Sequence, residues 1–172
     1  AIAMIKEIAE AIGYAHHKEI PIPGYNGVLH LDIKPSNILI SDAGKVMVID
    51  YGISQGNSED RMDQIVGSLM YMAPEQIEKG TTLDHRTDIY SIGVLLHQML
   101  TASTPYSSKN TQEEIIEKIQ NEPLERLVNV YPNVDNRMQK IIDTATSKSP
   151  NKRYQSCQAF INELKELENE AI

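Results

Sequence analysis

The run His30-Leu31-Asp32-Ile33-Lys34-Pro35-Ser36-Asn37 places an acid, a cation and an amide close together, in a stretch that Pro35 and Ser36 mark as a loop. Phosphoryl transfer asks little covalent chemistry of a protein. It does need an oxygen base to orient the attacking hydroxyl, positive charge near the moving group and oxygen ligands for Mg²⁺. Asp32, Lys34 and Asn37 supply these in turn. A second carboxylate follows at Asp50-Tyr51-Gly52, where an apolar run ends in an acid and a flexible glycine, and hard Mg²⁺ favours such oxygen. Taken one residue at a time, the first stretch reads as a polar turn capping a strand pair and the second as an ordinary turn. The chemical reading rests on their occurring together.

Two β-prone runs, 37–40 and 45–49, flank the polar, glycine-containing turn Ser41-Asp42-Ala43-Gly44, so a hairpin is expected to carry the loop toward Asp50. Upstream, Ile2, Ile5, Ile8, Ala9, Ile12 and Ala15 recur at helical spacing with Lys6, Glu7 and Glu10 between them. Residues 19–26 read as a loop from Pro21, Pro23 and Gly24, and 52–67 as an exposed polar loop without period. Residues 89–100 are apolar almost all round and should form a buried helix at the centre of the core. Amphipathic segments at 111–121, 134–147 and 156–167 complete the expected fold. That fold is mainly α, of the α+β type: a helical body with one short β-hairpin, a single domain over residues 1–172.

Sixteen basic against twenty-four acidic side chains leave a net charge of −8, which repels nucleic acid and anionic lipid, so neither is expected as a partner. The lone Cys157 has no second thiol for a disulfide or a metal site. A reducing, cytoplasmic location is the simplest expectation. No stretch approaches the roughly 20 continuous apolar residues of a membrane helix. Residues 1–18 carry neither a basic leader nor a small-residue cleavage site.

The loop around Asp32 resembles the catalytic loop of eukaryotic-type serine/threonine protein kinases, and Asp50-Tyr51-Gly52 resembles their Asp-Phe-Gly with Tyr for Phe. Downstream, Gly67-Ser68-Leu69-Met70-Tyr71-Met72-Ala73-Pro74-Glu75 resembles the end of the activation segment. Asp88-Ile89-Tyr90-Ser91-Ile92-Gly93 resembles the start of the central helix of the large, C-terminal lobe. Four motifs in this order carry the likeness over nearly the whole chain. The resemblance implies ATP and Mg²⁺ as cofactors and a protein substrate. It implies that Asp32 is the catalytic base, that Lys34 steadies the γ-phosphate, that Asn37 and Asp50 hold metal ions, and that Leu39 forms part of the floor under adenine. Ser68 stands where a threonine usually bonds the catalytic loop, and Arg153 where an arginine pairs with the glutamate of Ala-Pro-Glu, here Glu75. Lys34 is the serine/threonine-type choice. His30 and Tyr51 are expected to pack inside the lobe.

The chain also departs from that pattern. Leu31 replaces the arginine that gathers a phosphorylated activation-loop residue. Residues 50–75 contain no threonine, and acidic Glu59, Asp60 and Asp63 surround Ser58. Activation by loop phosphorylation is therefore not expected, and Ser54→Ala or Ser58→Ala should leave activity intact. Residues 19–26 are longer than the usual link and read as a surface insertion. No Gly-rich phosphate loop and no Val-Ala-Ile-Lys-like strand occur in the 172 residues. The N-terminal lobe is thus expected as a missing partner, and this segment alone should have little activity. The alternative is a non-catalytic scaffold, which has no physical need for Asp32, Lys34, Asn37 and Asp50 together. A small-molecule kinase of related fold is weaker still, because Ala-Pro-Glu and Arg153 belong to a protein-substrate platform.

Overall fold

Helix α1 (Ile2–His16) forms where apolar residues recur every three or four positions, and it buries the stripe Ile5, Ile8, Ala9, Ile12 and Ala15. The computed structural model describes residues 1–18, 27–51, 66–106 and 109–170. The expected insertion at 19–26 and most of the expected loop at 52–67 lie outside these. Beyond the insertion the chain returns close to the end of α1, where Val28 N–H donates to Ala15 O at 2.9 Å. Gly27 permits this return: its φ is +91°, and a Cβ there would stand 2.1 Å from the His16 carbonyl oxygen.

The expected hairpin is present, with β1 (Ile38–Ile40) antiparallel to β2 (Val46–Val48) in the register Ile38↔Val48, Leu39↔Met47, Ile40↔Val46. Its turn is closed by Gly44 N–H on Ser41 O and by Gly44 itself at φ +76°. The strands are shorter than 37–40 and 45–49, although Ile49 N–H still donates to Asn37 O at 3.0 Å. Period-two alternation divides the residues between faces. Ile38, Val46 and Val48 pack on the core, while the cross-strand pair Leu39 and Met47 stays exposed.

Helix α4 (His85–Thr101) is the hub, buried without interruption from Thr87 to His97. It begins earlier than the expected residue 89. Asp84 caps it, accepting from Arg86 N–H, and its polar first turn shows no apolar periodicity by which to recognise it. Gly93 lets α6 (Asn136–Ala145) approach, since a Cβ would stand 2.7 Å from Ala145 Cβ. Two short helices, α2 (Val66–Leu69) and α3 (Pro74–Ile77), rest on α5 (Gln112–Asn121). Val66 and Gly67 are therefore helical and not part of an extended loop. A reciprocal Thr111 and Glu114 capping box sets the start of α5. Asp135 caps α6 inside the expected 134–147. Helix α7 (Cys157–Glu170) runs past the expected residue 167 and packs on α1 and α6. One apolar core links α1, α4, α5, α6 and α7, each fully buried large side chain contributing about 1.5–3 kcal/mol.

Candidate active site

A single helical turn, Pro35–Asn37, bends the chain so that Asn37 looks back at the acid preceding it. Asn37 Nδ2 donates to the Asp32 carbonyl at 2.8 Å and to Asp32 Oδ2 at 3.1 Å. Lys34 Nζ lies 2.8 Å from the same carboxylate oxygen and donates to Ser68 Oγ at 2.6 Å. Asp32, Lys34, Asn37 and Ser68 therefore form one connected group. Because both acceptors on Asp32 take hydrogens from Nδ2, the amide orientation is fixed. Asn37 Oδ1 is then the atom left to serve as an oxygen ligand.

The loop does not hold this shape by local propensity. Leu31, a branched residue, sits in the left-handed region at φ +62°. Fully buried Asp88 at the start of α4 holds it there. Its Oδ1 accepts from Leu31 N–H and its Oδ2 from His30 N–H, each at 2.8 Å, and His16 Nε2 also donates to Oδ2 at 2.8 Å. Three donors offset much of the cost of burying a carboxylate.

His30, also fully buried, spends both ring nitrogens. Nε2 donates to Ile49 O at 2.9 Å and Nδ1 accepts from Asp32 N–H at 3.2 Å. Its ring lies 4.7 Å from that of Tyr51, as the internal-packing expectation required. Burial first, and the charge of Asp88 second, raise the Tyr51 phenol above its ordinary value.

Asp50 follows Ile49 directly, at φ +58° and exposed. Ile49 is bonded on one side to Asn37 and on the other to His30, so Asp50 leaves the hairpin at the end where Asn37 enters it. Gly52, Ser54 and Ser58 lie outside the described residues. Leu39 sits apart from the polar group, on the exposed face of the hairpin. Beside Lys34, a hollow of about 320 Å³ is lined by Pro35, Ser36, Gly67, Ser68 and Tyr71. The Tyr71 hydroxyl donates to Gln98 Oε1 at 2.6 Å, and its carbonyl accepts from Ser91 Oγ at 2.7 Å.

Glu75 and Arg153 meet away from this group as a buried bidentate pair, with N–O distances of 2.5 and 2.7 Å. Arg153 also donates to the carbonyls of Ser147, Arg86 and Lys148. Its guanidinium lies 4.9 Å from the Tyr90 ring centre. Thr87 Oγ1 donates to Glu75 Oε1 at 3.0 Å.

Three contributors were not singled out from the sequence. His16 continues the apolar stripe of α1, one turn past Ile12, and a polar residue at that position was the available signal. Thr87 and Gln76 gave none, because Thr87 bonds Glu75, twelve residues back, and Gln76 Nε2 donates to the Leu31 carbonyl, 45 residues back.

The model of the protein kinase domain family matches residues 1–164. Over 98% of its length the chain is 32% identical to a protein of Clostridium perfringens named probable serine/threonine-protein kinase. Over 96% it is 33% identical to one of the same description from Clostridium acetobutylicum. Over 98% it is 28% identical to the serine/threonine-protein kinase PknB of Mycobacterium tuberculosis. The chain spans about a quarter of the length of these relatives, between 24% and 26%. With the family model covering nearly all of it, and with the loop, hairpin and buried ion pair arranged as above, the chain belongs to the protein kinase domain family.

Proposed function

We propose that this chain is the C-terminal lobe of a serine/threonine protein kinase, which transfers the γ-phosphate of ATP to a serine or threonine hydroxyl of a protein substrate. The observation that carries this reading is the connected group of Asp32, Lys34 and Asn37, with Asp50 at the same end of the hairpin. Asp32 orients the attacking hydroxyl and accepts its proton, and Lys34 sets positive charge beside the transferred group. The hollow next to Lys34 admits the substrate residue. Leu39, exposed beside Met47, offers an apolar surface to the adenine.

The donor set fits Mg²⁺. Among the described residues no cluster of three His, Cys, Asp or Glu side chains forms an all-protein metal cage, and Mg²⁺ is usually held by one or two protein oxygens together with substrate phosphates. Asn37 Oδ1 and the Asp50 carboxylate would hold it. When bound, it neutralises charge on the phosphate oxygens. No helix among the described residues is long and apolar enough to cross a membrane. A cytoplasmic setting suits the single free, buried thiol.

The test uses the full-length protein with Mg·ATP and a generic protein acceptor, following ³²P transfer. Asp32→Asn should lower kcat about 10²- to 10⁴-fold, and Asp50→Asn should raise the Mg²⁺ requirement. Absence of wild-type transfer, together with no Mg·ATP-dependent rise in Tm, would overturn the reading in favour of a scaffold.

A further inference from the structure

The residue before the proposed base, Leu31, has both backbone polar groups held by side chains from other elements. Its N–H goes to Asp88 on α4. Its carbonyl, which is the acyl half of the Leu31–Asp32 peptide, accepts from Gln76 Nε2 on α3 at 2.9 Å. Gln76 Oε1 in turn accepts from Ala73 N–H at 2.9 Å. A backbone N–H can only donate, so this second bond fixes which end of the amide faces Leu31. Gln76 is thus a bridge with a defined direction, from the Ala73-Pro74-Glu75 turn to the peptide bond that carries Asp32.

We infer that Gln76 is a positioning residue for the base. By holding the Leu31 carbonyl while Asp88 holds the amide, it stops the Leu31–Asp32 peptide from rotating out of the left-handed geometry that aims the Asp32 carboxylate at Lys34 and Asn37. A left-handed leucine relaxes when released. Of the two peptides of Leu31, Asp88 holds only the preceding one, and on the Leu31–Asp32 peptide itself the one other bond is the longer Asp32 N–H to His30 Nδ1 at 3.2 Å. The bridge also makes Asp32 geometry depend on α3 being docked, so disorder at the end of the activation segment reaches the base through one hydrogen bond. This rests on the proposed phosphoryl transfer for its catalytic consequence, but its structural half stands alone.

The experiment compares Gln76→Leu and Gln76→Glu with wild type in the full-length protein. Gln76→Leu should lower kcat about tenfold or more with KM for ATP unchanged, because a misplaced group costs rate before it costs nucleotide binding. Gln76→Glu keeps the acceptor for Ala73 N–H but turns a carboxylate oxygen on the Leu31 carbonyl, and a protonated acid restores the donor. The ratio of variant to wild-type kcat should therefore climb as the medium is acidified from about pH 7 to about pH 5, toward the ordinary carboxyl range. A purely packing role would not produce that profile. Independently of turnover, amide hydrogen exchange across residues 28–37 should accelerate about tenfold in Gln76→Leu while the exchange of α4 is unchanged. Unaltered exchange at 28–37 overturns the inference, whether or not the protein transfers phosphate. Normal exchange and a flat pH ratio alongside robust wild-type transfer would sink it while leaving the proposed function standing. Loss of wild-type transfer with accelerated variant exchange would do the reverse.

Discussion

Two fully buried charges near the start of α4 organise two loops, and they do so in opposite ways. Asp88 gathers N–H groups: those of His30 and Leu31, and the ring of His16. Arg153 gathers carbonyls, those of Ser147, Lys148 and Arg86, and its charge is answered by Glu75 in a bidentate pair. Among the described residues, no lysine or arginine is paired with Asp88. Its charge is spread over two backbone donors and one imidazole, the way a loop is shaped and not the way a core is bolted. The contrast teaches that equal burial serves different ends. Arg153 joins the Ala-Pro-Glu turn to the body of the lobe, whereas Asp88 sets the geometry of the loop that holds the proposed base.

That contrast breaks most visibly at the ion pair. Arg153→Met leaves Glu75 buried without its cation, and stability should fall by about 3–5 kcal/mol, read by urea unfolding. The double variant Glu75→Leu with Arg153→Met should recover much of that loss, because no unpaired charge remains. If the double variant is no better than the single one, the carbonyl contacts of Arg153 outweigh its charge pairing, and both anchors act chiefly through backbone. Asp88→Asn is next in size. An amide offers one oxygen where the carboxylate offers two, so at least one loop N–H is left facing an NH₂ group. The expected stability loss is about 1–3 kcal/mol, with a fall in kcat larger than that of any Arg153 variant that remains folded at the assay temperature. Equal kcat in Asp88→Asn and wild type would remove the distinction between shaping and bolting.

Much of this was legible in the sequence, for reasons that differ by element. That Asp32, Lys34 and Asn37 come together was readable because phosphoryl transfer, the activity proposed for them, needs several residue types at fixed spacing. The hairpin was readable because a polar glycine turn separates two apolar runs. Helix α1 followed from its apolar period. The first turn of α4 was not readable, because His85, Arg86, Thr87 and Asp88 are polar and find buried partners only after folding. The helical turns α2 and α3 are too short to show a period. Gln76 makes one local bond, to Ala73 N–H, but its role at the loop is defined by a carbonyl 45 residues away in sequence. Side chains that act on distant backbone are silent until topology brings the two together.

A second, half-buried cation in the same neighbourhood sharpens the comparison, because it lacks what Arg153 has. The Lys148 ammonium lies 3.4 Å from the Tyr90 hydroxyl and 5.7 Å from the centre of that ring. Burial, and then repulsion from Arg153, hold its pKa down at about 8 against an ordinary 10.5. Below about pH 8 the group is protonated in both folded and unfolded chains, so the cost of burying its charge is fully present. Between about pH 8 and 10.5 the unfolded chain binds more protons than the folded one, and stability contributed at this site rises with pH. Lys148→Met should abolish that rise and at neutral pH should be more stable than wild type by about 1 kcal/mol, a figure reduced for partial solvent screening. The measurement is urea unfolding of both proteins at about pH 7 and about pH 9.5, below the range in which ordinary tyrosines ionise. The stability difference between variant and wild type should narrow at the higher pH. A constant difference would mean that the Tyr90 hydroxyl and ring already compensate the half-buried ammonium, leaving Lys148 as well satisfied as Arg153.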